Sequence, residues 1–328
     1  MDNNNAAALT IIGDVGVDVV LGPIERWPSV GTETLMDRSE LRAGGSAGNA
    51  ALAARYLGAR CRLLSLIGND SLGTWLAEQF HGFDSSLPVC DSPTSMSVGI
   101  IHACGERTFF TTRGHLEAFS CEHVSPFVQR ARRRGAIVLF TGAFLTPKIR
   151  RDYGRLIAEV ATLGYQVALD TGWPSGDWND ELRDEVFGWI AGSDHVLLNQ
   201  LELTSLANSQ DFATALARVS RRLKPHASLI VKNGSDGAMG FQNGITVEVD
   251  AVAVNVFDTI GAGDSFNAAY LLARATGHDL RGALDAGCRA AASIIGRFPR
   301  REIRAGELAE QLSFIPPLSR STEAAGGA

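Results

Sequence analysis

The chain has 328 residues and a net charge of −6, with 45% hydrophobic and 20% charged residues. This composition is typical of a globular α/β protein, and with no long basic run it argues against a nucleic-acid-binding protein. The five cysteines show neither a disulfide framework nor the CxxC spacing of a zinc site, and no apolar run is long enough to cross a membrane. With a polar N-terminus, we expect a cytoplasmic protein.

The first predicted strand, residues 8–13, runs directly into two carboxylates, Asp14 and Asp18. An ionised carboxylate at the end of a strand accepts hydrogen bonds from two neighbouring hydroxyls, as recognition of a polyol requires. A turn held by Asx hydrogen bonds is the alternative.

A glycine-rich loop follows, with Gly44 and Gly45 shortly before Asn49, and it opens into a helix predicted over residues 50–57. The alternative, a dinucleotide-binding loop, lacks the GxGxxG pattern.

A hairpin is predicted from two β-rich runs, residues 96–102 and 107–112, that a glycine-containing loop connects. Arg113 and His115 lie just beyond the second strand, where either could contact a substrate or lie in a solvated loop.

The middle of the chain alternates strands with helices, which predicts a parallel sheet covered on both faces with ligands at the carboxyl ends of its strands. Asp170 ends one of these strands. Asn199 and Glu202 begin the helix after the next, either as a capping box or as oxygen ligands. After a later strand comes Lys232 and a glycine turn at 233–240, which is either a plain hairpin or a site of close backbone approach.

Residues 252–257 alternate β-branched and aromatic side chains, which predicts a strand, and a helix is predicted over 266–275. The turn between them contains Asp258, Gly261, Ala262, Gly263 and Asp264. Glycines permit close backbone approach, and a helix N-terminus attracts an anion. Two carboxylates beside such a site repel a phosphate unless one is needed for proton transfer, so this turn favours phosphoryl transfer to a hydroxyl. Simple N-capping by Asp264 is the alternative.

The last predicted helix, residues 280–295, is rich in small residues and would pack closely against the helix that starts near Asp264. Residues 319–328 are small and polar, and we expect a disordered tail there.

The segment from Asp258 to Ala269, DTIGAGDSFNAA, resembles the C-terminal signature of the ribokinase-like (PfkB) family of sugar and nucleoside kinases, and the Gly44, Gly45 and Asn49 pattern resembles its N-terminal signature. The resemblance implies an α/β fold: a three-layer αβα sandwich with a mostly parallel central sheet over residues 8–315. It also implies a small β-sheet lid formed by about residues 15–42 and 95–113.

The resemblance also assigns roles. Asp264 would be the catalytic base, and the amides of Gly261, Ala262, Gly263 and Asp264 would form the anion hole. The sugar or nucleoside would contact Asp14, Asp18, Gly44, Gly45, Asn49, Arg113 and Asp258. ATP would contact Asn199, Lys232, Gly234, Ser235, Asp236, Gly237 and Arg289, although the family often has Asn at the last position. Mg²⁺ would lie near Asn199 and Glu202 through water, a monovalent cation is expected near Asp258, and a homodimer would form through the lid.

Two other functions compete with a sugar kinase. A ribonucleoside kinase on the same fold differs only in the lid side chains, which the sequence does not place. A non-catalytic sugar sensor is disfavoured because both signatures and Asp264 are intact.

Overall fold

The computed structural model describes residues 7–103, 106–300 and 303–312. Cys104 and Gly105 of the predicted hairpin loop, the predicted tail at 319–328 and the end of the predicted domain at 313–315 lie outside these residues.

The described residues form strands and helices that alternate over most of the chain. The strands are β1 (Leu9–Ile12), β2 (Gly16–Ile24), β3 (Arg38–Gly44), β4 (Cys61–Leu64), β5 (Asp84–Ser86), β6 (Met96–His102), β7 (Arg107–Thr111), β8 (Ile137–Phe140), β9 (Gln166–Asp170), β10 (His195–Asn199), β11 (Ser228–Lys232), β12 (Ala238–Gln242) and β13 (Ile245–Val249). The α-helices are α1 (Ser46–Tyr56), α2 (Ser71–Gln79), α3 (Pro147–Arg150), α4 (Tyr153–Thr162), α5 (Asp180–Gly192), α6 (Gln200–Leu206), α7 (Phe212–Ser220), α8 (Ala262–Ala275), α9 (Leu280–Ile295) and α10 (Glu307–Leu312).

Nine strands form the central sheet in the order β13-β12-β11-β10-β9-β8-β1-β4-β5. From β11 to β5 every neighbouring pair is parallel, and β12 and β13 extend the sheet as an antiparallel edge. The strand order reverses at β1, whose neighbours are β4 and β8. Ligands bind at such a reversal, beyond the carboxyl ends of the strands.

The sheet is buried on both faces because its side chains alternate between two cores. Leu9 and Ile11 of β1 pack on the face covered by α1, α8 and α9, whereas Ile12 packs on the face covered by α4 to α7. These three side chains are fully buried. The predicted three-layer αβα sandwich is therefore confirmed.

A separate four-stranded sheet has the order β3-β2-β6-β7, and we call it the lid sheet. Its central pair, β2 and β6, is parallel, while the two outer pairs are antiparallel. One face carries Asp18, Val20, Ile101 and Phe109 toward the loop at 258–260, as shown by the cluster of Val20, Ile101 and Ile260. The predicted small β-sheet lid is confirmed.

The predicted strand over 252–257 is wrong. These residues lie in neither sheet, and they are exposed. β13 ends at Val249 and no described strand pairs with the segment, whose Phe257 N–H instead donates to the Ile295 carbonyl at 2.8 Å. An alternating pattern forms a strand only where a neighbouring strand supplies hydrogen bonds.

Within the described ranges, no helix has the length and apolar character needed to cross a membrane. Cys61, Cys90, Cys121 and Cys288 are free thiols.

Candidate active site

Polar side chains gather where the central parallel strands end. Asp14 follows β1, Asp170 ends β9, Asn199 ends β10 and Lys232 ends β11. The N-termini of α1 and α8 lie in the same region. The Ser46 N–H at the start of α1 donates to Asp14, Asn49 of α1 donates to Asp264 in the first turn of α8, and Lys232 donates to Asn267 of α8. The site therefore extends from the strand-order reversal at β1 across the carboxyl ends of the strands to β11.

Gly261 sets the start of α8. Its backbone is left-handed, with φ of 72°, and a Cβ placed on it would lie 3.3 Å from the Asn49 side chain. The helix begins at Ala262, so Gly263 and Asp264 lie in its first turn, where N–H groups lack an acceptor within the helix. The Ala262 N–H is directed back to the Thr259 carbonyl at 3.3 Å. The first turn can thus offer Gly263 and Asp264 amides to an anion.

Asp264 is held in place by Asn49, whose Nδ2 donates to Oδ2 of Asp264 at 3.0 Å. Desolvation, followed by the charges of Asp170 and Asp14, raises the pKa of Asp264 to about 8, against the lowering effects of the hydrogen bond from Asn49 and the charge of Lys232. A carboxylate whose pKa lies near neutral pH can take a proton from a hydroxyl.

Lys232 connects the strand ends with α8. Its Nζ donates to Asp170 Oδ2 at 2.9 Å and to Asn267 Oδ1 at 3.3 Å, and the Asn267 amide also donates to Asp170. A Cβ on Gly263 would lie 3.5 Å from the Lys232 Nζ, so the ammonium borders the first turn of α8. Asn267 was missed by the sequence analysis, although its position three residues after Asp264 places it on the same helix face.

The Asp14 carboxylate accepts hydrogen bonds from the backbone N–H groups that begin α1. Both of its carboxylate oxygens lie 3.0 Å from the Ser46 N–H, and Gly45 precedes the helix with φ of 81°. A Cβ on Gly142 would collide with Asp14, at 1.8 Å from Oδ1. Burial raises the pKa of Asp14. The carboxylate is therefore fixed beside the site by the helix terminus.

Asp18 lies on the site side of the lid sheet, opposite Arg42 in the register of β2 and β3. Its side chain is buried, and burial followed by the charge of Asp14 raises its pKa to about 7. A Cβ on Gly44 would overlap its carboxylate, at 2.1 Å from Oδ2. Gly44 therefore leaves the space that Asp18 occupies.

Asp258 is engaged by two arginines. Arg42 donates to both of its carboxylate oxygens, at 3.3 and 3.0 Å, and Arg300 donates to Oδ1 at 2.7 Å. The Ile260 N–H also donates to Oδ1, at 3.0 Å. Asp258 was predicted to contact the substrate, but both of its carboxylate oxygens already accept hydrogen bonds from within the protein.

A family model described as "pfkB family carbohydrate kinase" matches residues 9–300. The chain belongs to the PfkB family. It is similar to a fructokinase from Klebsiella pneumoniae, with 29% identity over 70% of this chain and 75% of that protein. It is also 28% identical to the bifunctional protein HldE of Nitrobacter hamburgensis over 95% of this chain, which spans 64% of that longer protein.

Solved structures show the same fold. A probable sugar kinase from Rhizobium etli superposes with a TM-score of 0.78 at 22% identity, covering 94% of this chain and 98% of that one. An adenosine kinase from Sinorhizobium meliloti superposes with a TM-score of 0.76 at 23% identity, covering 93% and 98%. The chain is therefore a kinase of the PfkB carbohydrate kinase family, with the same fold as these structures.

In this PfkB kinase, Asn199 and Glu202 form a capping box. Glu202 N–H donates to Asn199 Oδ1 at 2.8 Å, and Asn199 N–H donates to Glu202 Oε2 at 2.7 Å. Burial and then the charge of Asp170 raise the pKa of Glu202 to about 7. The described residues hold no group of three or more His, Cys, Asp or Glu able to bind a metal alone. The oxygens present do fit Mg²⁺ that keeps most of its waters and phosphate ligands, because such an ion needs only one or two protein carboxylates.

The glycine turn after Lys232 connects β11 with the antiparallel β12. Gly234, Ser235 and Asp236 form an exposed single turn, while Gly237 is buried with φ of 89°. A Cβ on Gly237 would lie 2.0 Å from the Val249 carbonyl, so this glycine is needed for the hairpin itself. The exposed turn remains a predicted nucleotide contact.

Three residues that the sequence analysis considered make their ion pairs and hydrogen bonds away from the polar side chains at the strand ends. The Arg113 side chain is 85% exposed and pairs with Glu117 at 3.1 Å, and Arg289 is exposed and pairs with Asp285 at 2.7 Å. The expectation that His115 could contact substrate is wrong. It is fully buried, its Nδ1 accepts from the Ser95 N–H, and its Nε2 donates to the Val15 carbonyl.

Proposed function

We propose that this kinase transfers the γ-phosphoryl group of ATP to a hydroxyl of a small sugar or sugar-like substrate, with Asp264 as the general base. The observation that carries the proposal is the position of Asp264: it is held by Asn49 in the first turn of α8, beside backbone amides that can receive the migrating phosphoryl group. Phosphoryl transfer needs this combination of a base at the alcohol and fixed dipoles at the transferring group.

Other residues support each side of the reaction. Asp14 and Asp18 would accept hydrogen bonds from substrate hydroxyls, and the backbone of Gly44 and Gly45 would contact the sugar. On the nucleotide side, Lys232 would contact phosphate oxygens from its place beside Gly263. The exposed turn at Gly234, Ser235 and Asp236 would contact the rest of ATP, as would Arg289 on α9.

Mg²⁺ would be held through water by Asn199 and Glu202. When bound, it would offset the charge of the triphosphate. Burial is the main cause of the raised pKa of Glu202 and the charge of Asp170 adds to it, so a divalent cation nearby would favour the ionised carboxylate.

A sugar is favoured over a nucleoside because the matching family model describes carbohydrate kinases and a fructokinase shares 29% identity with this chain, whereas the adenosine kinase likeness supports the fold alone. The carboxylates of Asp14 and Asp18 suit adjacent hydroxyls of a sugar ring or chain.

The test is a coupled ADP-release assay with ATP and Mg²⁺ on a panel of ribose, fructose, 2-keto-3-deoxygluconate, fructose phosphates, adenosine, inosine and cytidine. ADP release with a sugar and with no nucleoside supports the proposal. Release with a nucleoside alone would replace it with the ribonucleoside kinase, and ATP binding without turnover of any compound would favour the sensor.

A homodimer through the lid sheet, in the cytoplasm, completes the proposal. The face of this sheet opposite the site carries Leu41, Val98 and Phe110, and Leu41 and Phe110 are 40% and 55% exposed. Trp27 packs against Phe110 on the same side, with ring centroids 5.9 Å apart. A second copy that covers this apolar face would remove it from water.

A further inference from the structure

Three oxygen atoms beside the start of α8 face the same guanidinium group, that of Arg300. They are the backbone carbonyl of Asp258, its carboxylate Oδ1 and the backbone carbonyl of Ile260. Carboxylate and carbonyl oxygens arranged in this way can replace the hydration shell of a monovalent cation. The sequence analysis expected such a cation near Asp258.

The guanidinium of Arg300 lies among these oxygens. Its Nη2 donates to the Asp258 carbonyl at 3.0 Å and to Oδ1 at 2.7 Å, and its Nη1 donates to the Ile260 carbonyl. Arg300 is 8% exposed and Asp258 is 3% exposed, so the contact is closed to solvent. The residues present therefore do not fit a metal cation at this point.

The surrounding charges already balance. Arg42 pairs with Glu40 and with Asp258, and the Arg300 N–H donates to Glu40 Oε1 at 2.9 Å. All four side chains are buried, with two positive and two negative charges. A further cation would add an unpaired charge to a desolvated cluster, which is costly.

The cluster also joins the two halves of the site. Glu40 and Arg42 belong to β3, which leads into Gly44 and Gly45, while Asp258 and Ile260 lead into Gly261. A Cβ on Gly261 would lie 3.5 Å from Nη1 of Arg300, so the guanidinium borders the turn that begins α8.

We propose that Arg300 supplies the positive charge that a monovalent metal ion would otherwise supply here. We propose also that it positions the turn at residues 258–261 against the loop of Gly44 and Gly45. The kinase then needs neither K⁺ nor Na⁺. The positioning role rests on the proposed function of the first turn of α8, which follows residues 258–261, as the anion hole, whereas the cation replacement does not.

The first experiment uses the wild-type protein in KCl, NaCl or choline chloride at equal ionic strength. Thermal unfolding is measured without substrate, so this readout stands even if the panel yields no turnover. We expect the same melting temperature in the three salts, and the same turnover with any active substrate. A higher melting temperature or rate in KCl or NaCl than in choline chloride would overturn the proposal, because a bound ion stabilises the folded state.

The second experiment uses Arg300→Ala, with Arg304→Ala as the control because Arg304 is 87% exposed and lies in the same C-terminal segment. We expect Arg300→Ala to lose about 10²-fold in kcat/KM through misplacement of the turn. K⁺ or guanidinium, but not choline, should restore part of its rate and raise its melting temperature, while Arg304→Ala should behave as wild type in every salt.

Unchanged kcat/KM in Arg300→Ala would contradict the positioning role, and a variant that gains nothing from K⁺ or guanidinium would contradict the cation role. If Arg300→Ala does not fold, Arg300→Lys retains the charge and loses the planar fork of donors. We expect Arg300→Lys to fold with reduced kcat/KM, and wild-type kcat/KM in that variant would contradict the need for the guanidinium.

Discussion

Asp264 combines two properties that its neighbours create. Burial and the carboxylates of Asp170 and Asp14 disfavour its ionised form, while Asn49 and Lys232 favour it, and the result is a pKa of about 8. A base with this pKa holds a proton well once it has taken one, and is still ionised in a useful fraction of molecules near neutral pH.

This pKa predicts the pH dependence of the free kinase. Because the base must be ionised, kcat/KM should rise about tenfold per pH unit at low pH and level off above about pH 8. A pH profile of kcat/KM on the active panel substrate measures this. A profile that is flat from about pH 6 to about pH 9 would contradict the assignment.

The raised pKa of Asp264 also predicts how the stability of the folded protein depends on pH. Stability changes with pH in the direction opposite to kcat/KM. The folded pKa of about 8 lies above the ordinary 3.8, so the folded state holds a proton that the unfolded state has lost between these values. Stability therefore falls as pH rises from about 4 to about 8. Asp264→Asn removes this loss, so its melting temperature should exceed that of wild type at alkaline pH, as a thermal scan at several pH values would show.

The sequence analysis proposed Asp264, Asn49, Lys232 and Asp14 as site residues because each lies in a short motif or at a strand end, and the structure brings them to one region. It did not identify Arg300, because the contacts of this residue with Asp258 and Glu40 join positions 42 and 260 residues apart. Local patterns carry no information on such pairs.

The close packing of α8 against α9 depends on a small residue. A Cβ on Gly287 of α9 would lie 2.6 Å from the Phe266 ring of α8, so the two helices approach as closely as a glycine permits. Phe266 follows Asp264 by two residues, so the position of α8 and that of the base are set together.

Gly287→Ala should therefore destabilise the protein by about 1–3 kcal/mol, because the methyl group forces α9 away from a packed ring. Gly188→Ala is the matched control, since Gly188 also lies inside a helix but has open space around its Cβ position. That control should be neutral or up to about 1 kcal/mol more stable. Urea unfolding measures both, and equal effects of the two substitutions would contradict the packing argument.

Element boundaries followed the sequence where local chemistry decides them. The predicted helix at 280–295 has the observed bounds, since Asp279 caps it. Helix α1 begins four residues before the predicted residue 50, because the left-handed Gly45 and the carboxylate of Asp14 start it at Ser46. The segment at 252–257 was predicted wrongly because a strand depends on a partner that its own sequence does not reveal.

For the whole molecule, the lid sheet has an inner face toward the site and an outer face that is partly apolar. The outer face supports the proposed dimer. Phe110→Lys should shift the kinase toward monomer in sedimentation velocity, because it places a charge on the apolar outer face that the second copy would cover. Ile245→Lys is the control, since Ile245 is 65% exposed on β13, away from the lid sheet. A wild-type monomer, or equal effects of both substitutions, would contradict the dimer.

The most direct test of the account is turnover by Asp264→Asn on the active panel substrate, with ATP binding measured by calorimetry. Asp184→Asn on the exposed side of α5 is the control. We predict a rate lower by about 10²–10⁴-fold in Asp264→Asn with ATP binding retained, because general bases contribute this much, and an unchanged rate in the control. A rate within about twofold of wild type in Asp264→Asn would contradict the assignment of Asp264 as the base.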